Sequence, residues 1–131
     1  MWRLRKRRNV ELEALAATPC RFDLTGHWSA YYAAVNGDVL WGVQLAQHGT
    51  AVFGWMQCKL ASHAPLTIRG IVLDDRFIAN YWRPHVDDMG SGVLDLLLSH
   101  NGNALHGDGT WHDAVTGEPE SHVWRWEKNS A

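Results

Sequence analysis

The chain has 131 residues, enough for one domain with a buried core. Its net charge of -2 conceals an asymmetry, because five of the 12 Lys and Arg residues lie among the first eight positions and the other seven accompany all 14 acidic residues. A short basic arm on an acidic body argues against a surface that binds DNA or RNA, which would be broadly basic. The arm fits a solvated tail or a segment beside an anionic membrane.

Residues 1–20 are predicted to form this basic arm and a short helix from Asn9 to Ala17, which Thr18-Pro19 ends. Basic clusters follow the cytoplasmic ends of transmembrane helices. No stretch of the sequence is itself long and apolar enough to span a bilayer. We therefore expect the chain to be the soluble part of a longer membrane protein, at the cytoplasmic face of the membrane.

The two cysteines, Cys20 and Cys58, do not form a CxxC motif, and no secretory signal precedes them. This favours free thiols in a reducing compartment, although spacing alone does not decide whether they pair.

Residues 21–131 are predicted to form a single ligand-binding domain built of β-strands. Alternating apolar and polar residues separated by turn signals indicate eight strands, at about 21–34, 38–48, 50–60, 66–73, 76–84, 92–100, 103–112 and 121–128. Consecutive antiparallel strands at this spacing favour an all-β fold, an eight-stranded up-and-down β-barrel, because closure removes the exposed edges of an open sheet.

Four two-residue turn signals set the predicted register of the strands: Asn36-Gly37, His48-Gly49, Asp74-Asp75 and Asn101-Gly102. Centring a hairpin on each signal gives the pairs Tyr32 with Trp41, Val43 with Gly54, Ile68 with Tyr81, Leu66 with Arg83, and Leu96 with Gly107. Register decides which side chains share a face. It leaves the eighth strand ambiguous, with either Trp124 and Trp126 or Val123 and Arg125 pointing inward.

The register divides the chain into an inner and an outer face. The predicted interior is rich in large apolar residues but also contains Ala30, Gly54, Gly70, Ala79, Gly107 and Gly109. Small inward residues would leave room for one small ligand, or the glycines would mark bends and bulges of the strands. The predicted outer face carries Leu40, Phe53, Trp55, Ile71, Ile78, Trp82, Val93 and Leu97. So much exposed apolar surface predicts a homo-oligomer, or cover by the N-terminal segment.

The longer connections fall at one end of the predicted barrel, which we call the mouth. The inward residues there are the predicted ligand-binding residues: Tyr32, Trp41, Tyr81, Arg83 and Trp111. Met56 and Cys58 lie beside them. Aromatic faces with one guanidinium suit a planar base and a phosphate. Alternatively, Arg83 ends its strand and reaches water. No acidic residue is predicted on the inner face to pair with it.

Signals for a metal, a cofactor or catalysis are weak. His100 is predicted to point inward, whereas His106 and His112 point outward, so the late histidines share no face and we expect no metal. No nucleophile-elbow, P-loop or inward carboxylate pair occurs. Cys58 is a possible nucleophile, but an inward cysteine is more often a small apolar side chain. We expect a non-catalytic protein without a cofactor.

Short motifs along the chain carry a family resemblance. They are Gly26-His27-Trp28, Gln47-His48-Gly49, Val52-Phe53-Gly54, Ile68-Arg69-Gly70, Asn80-Tyr81-Trp82-Arg83-Pro84, Gly90-Ser91-Gly92 and Leu105-His106-Gly107. The GxW opening is similar to lipocalins and avidins. The fuller run, over residues 21–128, resembles the barrel domain of the two-transmembrane β-barrel effectors of bacterial anti-phage signalling.

In those effectors a helix pair and a basic juncture precede an eight-stranded barrel that senses a cyclic nucleotide. No stretch of this sequence corresponds to the helix pair. The resemblance implies a cyclic di- or oligonucleotide ligand at Tyr32, Trp41, Tyr81, Arg83 and Trp111. It also implies a place at the cytoplasmic face of the bacterial inner membrane. The alternative is a lipocalin-like carrier of an apolar small molecule.

Overall fold

The computed structural model describes residues 21–35, 37–59, 65–84 and 90–129 of the chain. They form a closed antiparallel barrel in which each strand pairs with its neighbours in sequence and the last strand pairs with the first. The strands are β1 (Gly26–Ala34), β2 (Gly37–His48), β3 (Ala51–Cys58), β4 (Leu66–Leu73), β5 (Arg76–Trp82), β6 (Ser91–Leu98), β7 (Ala104–His112) and β8 (Pro119–Lys128). The predicted eight-stranded up-and-down barrel is confirmed. The predicted N-terminal helix and Cys20 lie outside the described residues.

The predicted registers are confirmed for the later hairpins and wrong by two residues for the first two. Ile68 pairs with Tyr81 and Leu96 with Gly107, as predicted. Trp41 pairs with Ala30 rather than Tyr32, and Gly54 pairs with Leu45 rather than Val43. Because side chains alternate with a period of two, this shift moves no residue to the other face.

Loop chemistry explains one of these shifts. His48 pairs with Ala51, so the β2–β3 loop is Gly49 and Thr50, with Gly49 at its first position and a φ of 60°. Hairpins of type II′ favour glycine at that position, whereas the prediction had placed the glycine second. The β4–β5 ladder also ends one pair early, at Thr67 with Trp82, so Leu66 does not pair with Arg83.

The barrel interior is filled with side chains from all eight strands. Trp126 and Trp28 have no exposed surface and lie 6.4 Å apart between ring centroids, and Phe77 lies 6.1 Å from Trp126. Strand β8 turns Trp124 and Trp126 inward and leaves Val123 65% exposed, which resolves the ambiguous facing. Tight packing of large rings is typical of a small barrel whose interior is a core.

The segment before β1 closes the end of the barrel opposite the mouth. Gln47 on β2 holds this segment by two hydrogen bonds. Its side-chain Nε2 donates to the Phe22 carbonyl at 2.8 Å, and its Oε1 accepts from the Leu24 backbone N–H at 2.8 Å. The Trp28 indole donates to the Leu24 carbonyl at 2.9 Å. The first strand therefore begins at Gly26 and not at residue 21, because residues 22–25 cross the barrel end.

Several glycines make room for aromatic rings or for neighbouring backbone. A Cβ at Gly92 would lie 2.0 Å from the Tyr81 ring, and one at Gly109 would lie 2.4 Å from the Trp124 indole nitrogen. A Cβ at Gly54 would lie 1.8 Å from the Gln44 carbonyl oxygen. These glycines allow rings and neighbouring backbone to approach closely within the barrel.

Candidate functional site

Aromatic rings from five strands lie at the mouth of the barrel. Trp124 on β8 connects two of them, with ring centroids 4.7 Å from Tyr32 and 6.1 Å from Trp41. On the facing side, Tyr81 and Trp111 lie 5.5 Å apart. Tyr81 is buried, while Tyr32, Trp41 and Trp111 are partly buried and pack against the core. The mouth is therefore an aromatic cup above a filled core.

Arg83 lies directly after β5 at the same end of the barrel. It is half-buried, and its side chain makes no ion pair or hydrogen bond with the residues the structure describes. The four aromatic residues predicted for the site thus lie on the inward side of their strands at the mouth, and Arg83 follows the end of β5 there. The four aromatic ones form two groups, Tyr32 and Trp41 around Trp124, and Tyr81 with Trp111.

Strand β8 adds two mouth residues that the sequence interpretation missed. The His122 ring stacks on Tyr32 at 3.9 Å with an interplanar angle of 20°, and its Nε2 lies 3.0 Å from Glu120 Oε1. Both share the inward face of β8 with Trp124. Glu120 thus adds an acidic side chain to the inward face of β8, where the sequence, with the facing of this strand unresolved, predicted none, and it pairs with His122. Continuing the Trp126, Trp124 alternation backwards would have found His122 and Glu120.

Two N–H donors at the mouth have no hydrogen-bond acceptor among the residues that the structure describes. Trp41 Nε1 and Arg83 Nε are buried and make no hydrogen bond with the described residues. The Trp41 N–H is close enough to the Tyr32 hydroxyl to favour the ionised form of Tyr32, but the contact does not have the geometry of a hydrogen bond. Buried polar groups are nearly always paired, so unpaired donors beside an opening indicate a place for a ligand's acceptor atoms.

Trp124 Nε1 and Trp126 Nε1 are also unpaired. Trp124 Nε1 lies against Gly109, and Trp126 belongs to the core. These two donors therefore lie below the opening and contribute less directly to a site there.

The phenol groups at the mouth are held neutral by their surroundings. Burial, with the nearby Tyr32 and Glu120 oxygens, raises the pKa of Tyr81 to about 12. Burial and Glu120 also raise the pKa of Tyr32. Both hydroxyls are protonated at neutral pH, as an ordinary tyrosine is, and the raised pKa values extend this protonated range to higher pH.

The raised pKa of Tyr81 predicts a loss of stability at high pH. An unfolded tyrosine ionises near pH 10, whereas Tyr81 in the barrel stays protonated up to about pH 12. Its contribution is complete below about pH 10 and is lost as the pH rises from there towards about 12. Tyr81→Phe should make this fall in the free energy of unfolding shallower. Urea denaturation of both proteins over that pH range measures it, and identical slopes would contradict the assignment.

The other histidines and the cysteine considered for metal binding or catalysis do not form a site. His100 is exposed in the β6–β7 connection, so its predicted inward position was wrong, because β6 ends at Leu98. Among the described residues, no group of three or more His, Cys, Asp or Glu is placed to hold a metal. Cys58 is a partly buried free thiol.

A groove of about 610 Å³ lies outside the barrel and not at the mouth. It crosses β1 to β3 over Gly42, between Ser29, Trp55 and Lys59. Gly42 lines this groove, and a Cβ there would lie 3.0 Å from the end of the Lys59 side chain. The groove is open to solvent, and no unpaired buried group faces it, so we assign the site to the mouth.

Comparison with known proteins does not assign the chain to a family. No family model matches the chain, and no curated protein matches it with significant similarity. Within the part of the chain that the structure describes, no helix has the length and hydropathy of a membrane span.

Proposed function

We propose that the chain is a non-catalytic sensor whose barrel mouth binds a cyclic di- or oligonucleotide. The observation that carries the proposal is that two buried N–H donors at the mouth, Trp41 Nε1 and Arg83 Nε, have no hydrogen-bond acceptor among the described residues, at the end of the barrel where the aromatic rings gather. A nucleotide offers what this arrangement lacks, since its phosphate and base oxygens are acceptors and its bases are planar.

Each group at the mouth has a role in this proposal. Trp111 and Tyr81 offer ring faces against which a base stacks. The Arg83 guanidinium pairs with a phosphate, for which its planar fork is suited. Glu120 is an acceptor for an N–H group on a base edge, so the mouth presents both charges to a ligand that carries donors and acceptors.

The alternative, a lipocalin-like carrier of an apolar small molecule, has less support. Such a carrier needs room inside the barrel, and Trp28, Phe77 and Trp126 fill the interior below the mouth. Trp41 Nε1 and Arg83 Nε find no acceptor within the described part of the chain, and an apolar ligand would supply none, which is costly for buried donors.

Binding would be passed on through oligomerisation or through a membrane segment at the N-terminal side, in anti-phage defence as the family resemblance implies. A ligand shifts such an equilibrium only if it binds one assembly state more tightly than the other. This part of the proposal rests on the resemblance and on the apolar outer surface.

A ligand panel tests the proposal. Calorimetry or thermal-shift measurements on the full chain compare cyclic dinucleotides with fatty acids and retinoids. We expect saturable binding of at least one cyclic dinucleotide and none of the lipids. Binding of a fatty acid or retinoid alone would favour the carrier, and binding of neither class would favour a purely structural interaction module.

A further inference from the structure

The glycine in the middle of β2 is not explained by a turn, a bulge or close packing. Gly42 has no positive φ, and both ladders of β2 run through it without a bulge. A Cβ there would meet only the end of the Lys59 side chain, whereas one at Gly54 or Gly92 would run into backbone or a ring. Glycine weakens a strand, and one that packing does not require marks a place where a ligand can approach the backbone closely.

The missing side chain opens the floor of the groove on the outer surface of β1 to β3. Gly42 lies in one row between Ser29 on β1 and Gln57 on β3. On the β3 side the groove is lined by Trp55, which points outward as the sequence predicted and is 44% exposed. The volume of about 610 Å³ is within the range of roughly 300–1,000 Å³ that small-molecule sites occupy.

Lys59 brings a positive charge to this floor, with no anion beside it. Its Nζ would lie 3.2 Å from a Cβ at Gly42, and it makes no hydrogen bond or ion pair with the described residues. None of the described residues that line the groove is acidic. Glu127, which pairs with Ser29 on the β8 side, instead accepts a hydrogen bond from the Tyr31 hydroxyl at 3.3 Å. One uncompensated ammonium group favours a ligand with one anionic group.

The neutral polar side chains of the groove can both donate and accept hydrogen bonds. Asn129 Oδ1 accepts from Ser29 Oγ at 2.8 Å, which leaves the two N–H groups of the Asn129 amide and the Ser29 lone pairs for a ligand. His27 is exposed at the same edge, and a neutral imidazole has one donor and one acceptor. Hydroxyl groups match such side chains, since each hydroxyl also donates and accepts. The Trp55 ring offers a flat apolar surface for the C–H face of a sugar ring.

We propose that this groove is a second binding site, for a sugar that carries one carboxylate or phosphate group. The Lys59 ammonium pairs with the anionic group over the floor that Gly42 leaves open. Asn129 and Ser29 bond to the hydroxyls, and the sugar ring packs on Trp55. The groove lies on the outer surface, so the inference does not depend on a ligand at the mouth, and the two fail in different experiments.

Titration of the full chain with glucuronate, glucose 6-phosphate and neutral glucose tests the inference. Two-dimensional ¹⁵N–¹H spectra should show saturable shifts of the Trp55 indole and Asn129 side-chain amide signals at millimolar concentrations of an anionic sugar. Glucose should bind about fivefold more weakly, as expected for the loss of one exposed ion pair. Comparing glucuronate with glucose 6-phosphate shows whether a carboxylate or a phosphate is preferred. The absence of shifts at Trp55 with both anionic sugars, or equal binding of glucose, would overturn the inference.

Two variants separate the floor from the charge. Gly42→Val fills the floor and should weaken binding of every sugar by at least about tenfold, while valine suits a strand, so the barrel stays folded by circular dichroism. Lys59→Gln should remove the preference for an anionic sugar and leave glucose binding unchanged. Arg69→Gln, which removes an exposed positive charge on β4 outside the groove, is the matched control and should change neither. Full binding in folded Gly42→Val, or equal losses in Lys59→Gln and Arg69→Gln, would overturn the assignment of the groove.

Discussion

Trp126→Ala should destabilise the barrel by about 3–5 kcal/mol, a large share of the roughly 5–15 kcal/mol by which small domains are stable. The Trp126 ring has no exposed surface and contacts Trp28, Phe77 and Trp124. Removing it leaves a cavity between rings on β1, β5 and β8 itself, which cannot all move inward because each strand is fixed by its own ladder.

The control lies three residues earlier on the same strand. Val123 points outward and is 65% exposed, so Val123→Ala should change the free energy of unfolding by no more than about 0.5 kcal/mol. Urea denaturation followed by far-ultraviolet circular dichroism measures both variants without depending on tryptophan fluorescence. Equal effects would show that the barrel interior is not held together by this ring.

Arg83→Ala should weaken nucleotide binding by roughly ten- to a hundredfold, because charged hydrogen bonds are typically worth about 1.5–3 kcal/mol. Arg83→Lys should restore little, since an ammonium group lacks the planar fork of a guanidinium. The free energy of unfolding should barely change, because Arg83 makes no ion pair or hydrogen bond with the described residues.

Arg125→Ala is the matched control for Arg83. Arg125 lies on the outer side of β8, with its guanidinium over the Tyr31 ring at 5.1 Å, and faces away from the mouth. Calorimetric titration of the three variants and the parent with the tightest cyclic dinucleotide compares them directly. Unchanged affinity in Arg83→Ala would show that this side chain only reaches solvent, and would return the weight to the apolar-carrier alternative.

The fold was predictable because alternation alone assigns faces. Trp28, Ile68 and Leu96 are all completely buried, as the period-two pattern requires, even though the first two hairpin registers were two residues out. An error of two preserves the facing of every side chain, so the core could be predicted without a correct register. The register of the β2–β3 hairpin depends on which two residues form its loop. A glycine is favourable at either loop position, so the sequence alone did not distinguish His48-Gly49 from Gly49-Thr50.

The site was less predictable because it depends on one strand without a clear signal. Val123 and Trp124 are both apolar and point to opposite faces of β8, so alternation did not show which face is inward. The facing of Glu120 and His122 depends on that of Trp124, because all three lie on the same face of the strand. Packing decides the matter, since Gly109 on the neighbouring strand leaves space for the Trp124 ring. That glycine and tryptophan are 15 positions apart, and no local pattern connects them.

The indole N–H signals of the eight tryptophans provide the most direct test of a ligand site at the mouth. Two-dimensional ¹⁵N–¹H spectra of the full chain are recorded during titration with a cyclic dinucleotide, and single Trp→Phe variants assign the signals. The account predicts that the Trp41 signal shifts the most, as its unpaired N–H gains an acceptor, and that Trp111 shifts as well. The signal of Trp28, whose N–H is already bonded to Leu24, should stay in place. Saturable shifts confined to Trp55 on the outer surface, or no shift at any indole, would contradict a binding site at the mouth.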